Sequence, residues 1–155
     1  MRRGFVVGLL AVGSLPGCHA ATPADTAAVA TTAPKFAALA AGEIRRTLVG
    51  SQPATGLPGW ETRLYLIEYG PGAVAPLHIH PVVGVGYVLE GRFESAFGTE
   101  PPVFVETGQQ FIDPAGVPHR LFRNASSGRA LRFLVAYTIR SGQPIFHPGA
   151  ALPSE

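Results

Sequence analysis

The chain has 155 residues, of which 46% are hydrophobic, so it is long enough for one domain with its own core and too short for two ordinary domains. Its 19 Gly and 15 Pro, with β-branched and aromatic residues throughout the middle, argue against a helical bundle and against a disordered chain. The formal net charge of +2 comes from Arg2 and Arg3, and the nearly neutral remainder has no basic stripe, which argues against a nucleic-acid partner.

Residues 1–20 are predicted to be an export signal. Arg2 and Arg3 form a charged start, residues 4–12 form an apolar run, and small residues follow. The apolar run is too short to span a membrane as part of the mature protein. We therefore expect a periplasmic protein.

The end of this signal, Leu15-Pro16-Gly17-Cys18, resembles the lipobox of bacterial lipoproteins, in which the Cys is lipidated and becomes the new N-terminus. Pro16 departs from that pattern. Cys18 is the only cysteine, so it cannot form an internal disulfide and would otherwise be an unpaired thiol in an oxidising compartment. We expect lipidation at Cys18 and membrane contact only through this anchor; the alternative is a plain cut near residues 18–20 and a soluble periplasmic protein.

Residues 21–42 consist mainly of Ala, Thr and Pro with almost no charge, a composition that cannot bury enough surface to order itself. We interpret them as a flexible tether. The folded domain is expected to span residues 43–140.

Within 43–140 the pattern predicts short strands separated by Gly and Pro turns, with no helical period of useful length. The predicted strands are 44–49, 60–69, 92–97, 103–106, 109–113 and 129–140, and 51–59 is a predicted loop. This spacing is typical of an all-β sandwich or jelly-roll barrel. The long apolar alternation in 131–139 fits either a core strand or a face through which two copies dimerise. Residues 141–155 are expected to be a tail along an outer face, with His147 solvated.

His78 and His80 lie one residue apart in a β-like run, 78–91, that ends at the turn residue Gly91. Side chains alternate along a strand, so both imidazoles point the same way and are close enough to share one metal ion. Without a bound partner, this apolar run would bury two polar rings at a cost. The pair is therefore predicted to be two metal ligands.

Two spaced motifs in this chain resemble those of the cupin superfamily. The first motif is a Gly, five residues, His-x-His, three or four residues, Glu, six residues and Gly; the second is a Gly, five residues, Pro-x-Gly, two residues, His, three residues and Asn. The matching positions here are Gly72, His78, His80, Gly84 and Gly91, and then Gly108, Pro114, Gly116, His119 and Asn124. Gly84 stands where the family has Glu, and four residues instead of three precede Asn124.

The resemblance covers about residues 44–138 and implies an all-β, double-stranded β-helix barrel with its site in the mouth, as in the small, exported, single-domain cupins. It assigns His78, His80 and His119 as metal ligands. Three neutral imidazoles also suit one divalent transition metal on chemical grounds, namely Fe, Mn, Ni, Cu or Zn, and leave positions open for water or substrate.

Gly84 removes one negative charge from the expected site, which lowers its affinity for hard divalent ions. Regular alternation places Gly84, Gly86 and Val88 on the inner face as pocket residues. Because two of them lack side chains, we expect either a larger cavity beside the metal or a gap that another segment fills.

Two functions follow from these features. The first is a metal-dependent cupin enzyme acting on a small organic molecule, most simply through oxygenase-like chemistry. The second is a non-catalytic cupin that binds or senses a small ligand and whose metal site is degenerate. Since cupins commonly pack outer sheet faces together, a homodimer is also expected.

Overall fold

The computed structural model of the chain describes residues 36–151. The predicted export signal, Cys18 and most of the predicted tether lie outside the described residues. The described part contains no helix, and so none that is long and apolar enough to cross a membrane.

Ten strands make up the described domain. They are β1 (Ile44–Pro53), β2 (Trp60–Tyr69), β3 (His78–Ile79), β4 (Gly84–Glu90), β5 (Arg92–Phe97), β6 (Val103–Glu106), β7 (Gln110–Asp113), β8 (Pro118–Asn124), β9 (Leu131–Arg140) and β10 (His147–Pro148). Three differences from the sequence prediction stand out. β1 continues to Pro53, into the predicted loop; the run 78–91 is divided between β3 and β4; and β8 and β10 were not predicted.

The strands form two five-stranded sheets in which every named pairing is antiparallel. The first sheet has the order β1-β2-β9-β4-β7, and the second has the order β10-β3-β8-β5-β6. Gly91, with φ of +86°, makes the turn by which the chain passes from β4 in the first sheet to β5 in the second. The predicted all-β, double-stranded β-helix fold is confirmed.

β9 is a core strand of the first sheet, between β2 and β4. Its alternate side chains are all buried: Leu131, Phe133, Val135, Tyr137 and Ile139. Burial in the core therefore explains the long apolar alternation without an interface. Phe93, Phe111 and Phe122 pack around Phe133 with ring centroids 4.6 to 6.0 Å apart, so aromatic contacts fill the barrel.

The last residues of the predicted tether lie against the outer side of the first sheet. Arg132 is buried there and donates from Nη2 to the Ala37 carbonyl at 2.7 Å, while its guanidinium lies 4.7 Å from the centroid of the Phe36 ring. The same guanidinium pairs with Glu68 and Glu90. Phe36 and Ala37 thus cover the buried guanidinium of Arg132, whose charge is paired with Glu68 and Glu90.

The C-terminal tail pairs with the barrel at β3, and it does not simply lie along an outer face. His147 and Pro148 are opposite Ile79 and His78, and the Gly149 N–H donates to the Leu77 carbonyl at 3.0 Å. The tail therefore passes over the end of the barrel that carries the histidines.

Candidate metal centre

The strand register brings the two histidine-bearing motifs together. His78 on β3 is directly opposite His119 on β8. His80 follows β3 by one residue and forms an isolated bridge with Ala115 in the Pro-x-Gly turn. Paired residues on adjacent strands lie about 5 Å apart, so the His78–His119 pairing and the His80–Ala115 bridge together place three imidazoles in one region.

Each of the three rings offers one nitrogen, and these nitrogens all lie within 4.8 Å of one another. The ring centroids are 4.8 Å apart for His78 and His119, 5.0 Å for His78 and His80, and 6.2 Å for His80 and His119. Two nitrogens on opposite sides of one zinc-sized ion lie about 4 Å apart, so little side-chain movement is needed for all three to bind it.

Hydrogen bonds fix two of the rings in the form that a metal requires. Nδ1 of His78 lies 2.8 Å from the Pro76 carbonyl, and Nδ1 of His80 lies 2.8 Å from the Ile145 carbonyl. A carbonyl only accepts, so each Nδ1–H donates and each neutral ring keeps its lone pair on Nε2. Such outer hydrogen bonds orient metal-binding histidines.

His119 is held from its other nitrogen. Its Nε2 is 2.8 Å from Ser95 Oγ, while Nδ1 is buried and has no hydrogen-bond partner among the described residues. The Phe97 ring stacks on the His119 imidazole, with the two ring centroids 3.8 Å apart. Three imidazoles whose nitrogens lie within 4.8 Å of one another around one cavity are a donor set that a divalent transition metal takes, so the residues present fit a metal.

Burial favours the neutral form of the His78 and His119 rings. It lowers the pKa of the His119 imidazole to about 2, with the nearby His78 and His80 adding to the effect. Burial likewise lowers the pKa of His78, partly offset by the hydrogen bond to Pro76. Metals bind the neutral imidazole, so these two rings need not lose a proton at neutral pH.

The extra residue between His119 and Asn124 is accommodated by a β-bulge. His119 is opposite Phe97, but Leu121 is opposite Ala96, so Arg120 is the additional residue on β8. Both His119 and Asn124 consequently face the interior, although five positions separate them. The Arg120 side chain donates to the Gly98 and Glu100 carbonyls at 2.9 and 2.7 Å and holds the bulge.

The space beside the two inward glycines is filled. Gly84, Gly86 and Val88 are buried on β4, as the alternation predicted. A Cβ at Gly84 would overlap the Tyr137 ring, and one at Gly86 would overlap the Phe111 ring. Of the two alternatives, the gap filled by another segment is the one observed. The cavity that remains at the histidines has a volume of about 40 Å³, enough for one or two waters.

Among the residues of this site that sequence reasoning missed are the two on the strands beside Gly84. Asp113 on β7 and Tyr137 on β9 flank Gly84 on β4, and both line the cavity. The Tyr137 hydroxyl donates to Asp113 Oδ2 at 2.6 Å, and that oxygen lies 3.7 Å from His80 Nε2. Asp113 shares the strand phase of the buried Phe111, and an acidic residue in phase with a core residue is the signal that could have found it.

Burial raises the pKa of the Asp113 carboxyl, and His80 and the Tyr137 hydrogen bond oppose that shift. Burial next to this carboxylate also raises the pKa of Tyr137 well above its ordinary value, so Tyr137 remains a hydrogen-bond donor.

Arg46 is the charged residue at the rim of the cavity. Its guanidinium lies 5.0 Å from the centroid of the Phe146 ring, and Phe146 meets His78 edge-on at 5.6 Å. The ion pairs of the described residues include none for Arg46. A positive charge therefore lies close to the histidines without a carboxylate partner.

A family model described as a cupin domain matches residues 65–137. A germin-like protein, subfamily 2 member 2, from Arabidopsis thaliana is 38% identical over 79 residues, which is 46% of this chain and 36% of that protein. The chain thus spans about a third of the curated relative that it matches.

Solved structures give the same fold. A cupin-like protein from Thermotoga maritima has a TM-score of 0.55 at 17% identity, covering 71% of this chain and 78% of that one. An uncharacterized conserved protein with a double-stranded beta-helix domain, from Klebsiella pneumoniae, also has a TM-score of 0.55 at 17% identity, covering 79% of this chain and 100% of that one.

Proposed function

The chain belongs to the cupin superfamily, and on that premise we propose that it is a metal-dependent enzyme acting on a small organic molecule. One divalent transition metal would be held by His78, His80 and His119. The observation that supports this is the meeting of three buried imidazoles at one cavity, each held by a hydrogen bond through one ring nitrogen. When bound, such a metal supplies Lewis-acid polarisation or dioxygen activation, and we propose oxygenase-like chemistry.

The protein's own residues orient the ligands and exclude water. The carbonyls of Pro76 and Ile145 set the tautomers of His78 and His80. Phe97 and Phe146 cover the His119 and His78 rings. A dry, pre-oriented site strengthens electrostatic interactions with a reacting group.

The size and charge of the cavity limit the substrate. About 40 Å³ accommodates a small group such as a carboxylate or dioxygen, so any larger part of a substrate must lie outside or displace the tail near Phe146. Arg46 offers a guanidinium at the rim, which suits a carboxylate. We therefore favour a small organic acid as substrate.

The second function, non-catalytic capture of a small ligand, rests on the missing Glu at position 84 together with the two inward glycines, Gly84 and Gly86. The rings of Tyr137 and Phe111 take up the space beside these glycines in the described barrel. The geometry therefore favours a metal centre over a ligand-binding pocket.

We also propose that the protein is exported and anchored through a lipid on Cys18. The support is the Arg2-Arg3 start, the apolar run and the Leu15 to Cys18 box. The mass of the mature protein tests this, because lipidation adds acyl chains to a chain that starts at residue 18. A mature chain that still contains residues 1–17, or one without lipid, would contradict the anchor.

Metal content decides the main proposal. The full-length chain is produced with iron, manganese, nickel, copper or zinc, and the bound metal per chain is measured for wild type, His80→Ala, His119→Ala and the tail control His147→Ala. We expect close to one metal per chain in wild type and control, and loss in the two cluster variants. A ratio near zero with every metal, or unchanged occupancy in His80→Ala, would overturn the proposal.

A further inference from the structure

A carboxylate lies next to the position from which the family's glutamate is missing. Gly84 on β4 is directly opposite Asp113 on β7. The Asp113 side chain is buried and lines the same cavity as His78, His80 and His119. The neighbouring strand thus delivers an acidic side chain to the wall of this cavity, opposite Gly84.

Asp113 lies outside the group of three histidines whose nitrogens are within 4.8 Å of one another, but its distance from His80 fits two ligands of one ion. His80 Nδ1–H donates to Ile145, so Nε2 of the neutral ring carries a lone pair, and it lies 3.7 Å from Asp113 Oδ2. That separation is too long for a hydrogen bond. Two ligand atoms that each bind one ion at about 2.1 Å lie about 3 to 4 Å apart.

The surroundings of the buried Asp113 side chain also favour a bound cation. Its one hydrogen-bond donor among the described residues is the Tyr137 hydroxyl, at 2.6 Å, and no Arg or Lys of the described residues forms an ion pair with it. A buried carboxylate without a positive partner is costly, and a divalent ion beside His80 would remove that cost.

We propose that Asp113 is the carboxylate ligand of this metal site, in place of the glutamate that Gly84 cannot supply, and that Tyr137 is its positioning residue. The proposal rests on metal binding by the three histidines. Three neutral imidazoles and one carboxylate bring the charge of a divalent site from +2 to +1, the same as in a three-His-one-Glu site. The Tyr137 ring stacks on His80 at 5.3 Å with an interplanar angle of 17°, so one residue supports both ligands.

This arrangement also accounts for Gly84. A Cβ at position 84 would overlap the Tyr137 ring that holds Asp113. A side chain at 84 and the Tyr137 ring therefore compete for the same space, and the barrel cannot hold both without rearrangement.

Asp113→Asn tests the proposal, because it removes the charge while keeping the shape and an oxygen that accepts from Tyr137. The matched control is Glu106→Gln, which neutralises an exposed carboxylate on β6. The metal dissociation constant of the full-length chain is measured by chelator competition. We expect at least about tenfold weaker binding in Asp113→Asn and no change in the control.

Two further measurements separate a ligand from a merely structural residue. In chelator, Asp113→Asn should melt no lower than wild type, since the buried charge is gone. The visible absorption of the Co²⁺-loaded protein reports the ligand set, and it should change in Asp113→Asn and shift in Tyr137→Phe. Equal metal affinity and an unchanged Co²⁺ spectrum in Asp113→Asn, with binding lost in His80→Ala, would overturn this inference and leave the three-histidine site standing. No metal in wild type would instead overturn the proposed function.

Discussion

The Tyr137 ring lies where a side chain on Gly84 would begin, with Tyr137 Cζ 2.9 Å from the position of a Cβ at residue 84. The ring cannot move away cheaply, because it stacks on His80 and its hydroxyl donates to Asp113. Gly84 is therefore required by packing as well as by the site.

Gly84→Ala should destabilise the protein by about 1 to 3 kcal/mol, the usual cost of overpacking a filled core. Denaturant unfolding measures the change. Gly50→Ala is the matched control, because Gly50 also lies in a strand and a Cβ there would meet no atom within 4 Å. Equal stability of the two variants would show that the Tyr137 ring can move aside at no measurable cost in free energy.

Because a side chain at position 84 overlaps the Tyr137 ring, Gly84→Glu should displace the Asp113–Tyr137 pair. We therefore expect that Gly84→Glu does not tighten metal binding.

The Ser95 hydroxyl sets the orientation of His119. Ser95 is buried on β5, and its Oγ is the hydrogen-bond partner of His119 Nε2 at 2.8 Å. Ser95→Ala should weaken metal binding by about 10- to 100-fold, as loss of such outer partners does. Ser127→Ala, an exposed serine, is the control for chelator competition. Metal affinity that is the same in both variants would rule out this role for Ser95.

The fold and the clustering of the histidines followed from local patterns. Alternation and turn residues predicted the strands, and the resemblance to the two cupin motifs grouped His119 with His78 and His80. The neighbours of Gly84 did not follow, because a strand's own period does not say which strands lie on either side. Asp113 and Tyr137 are 29 and 53 positions away in the chain, and long-range pairing of β4 with β7 and β9 brings them to it.

The spacing between His119 and Asn124 is a second feature whose structural effect depends on a partner strand and so could not be predicted from the sequence. The extra residue was visible in the sequence, but its consequence depends on the partner strand β5, which places the bulge at Arg120. The tail is another case: two residues, His147 and Pro148, form β10 because the edge of β3 is available to them.

The bulge at Arg120 can be tested by two single-residue deletions in β8, one at the bulge and one elsewhere as the control. Deleting Arg120 should leave β8 regular, with His119 and Asn124 still facing inward, so folding and metal binding should persist. Deleting Arg123, another exposed arginine on β8, should turn an inward side chain outward. Asn124 would then lose its donations to Gly70 and Arg129, at 3.0 and 2.7 Å.

Melting temperature and metal content of the two deletions decide the point. We expect the Arg123 deletion to be the less stable one by several kcal/mol, because buried polar groups lose their partners. If the Arg120 deletion is equally damaged, the bulge is needed for more than the inward direction of His119.

Phe146 is predicted to slow access to the site. Its ring meets His78 edge-on at 5.6 Å and lies under the Arg46 guanidinium, so the tail covers the cavity. Phe146→Ala should release metal to a chelator severalfold faster, whereas Phe104→Ala, an exposed ring on β6, should not. Stopped-flow release with a chromophoric chelator measures both rates. Identical rates would mean that metal reaches the site by another route.

The outer face of the first sheet carries a patch suited to a second copy of the chain. Val85, Tyr87 and Ile112 are each about half exposed, and the register places Leu134 and Ala136 beside them on β9. Contiguous exposed apolar side chains of this kind mark interaction sites, and an antiparallel sheet face can pack on its own copy about a two-fold axis.

We expect a dimer in solution that Val85→Lys converts to monomers. Val103→Lys, on the other sheet and equally exposed, should leave the dimer intact. Sedimentation measures the mass of each variant, and a wild-type chain that is monomeric at every accessible concentration would contradict this role for the patch.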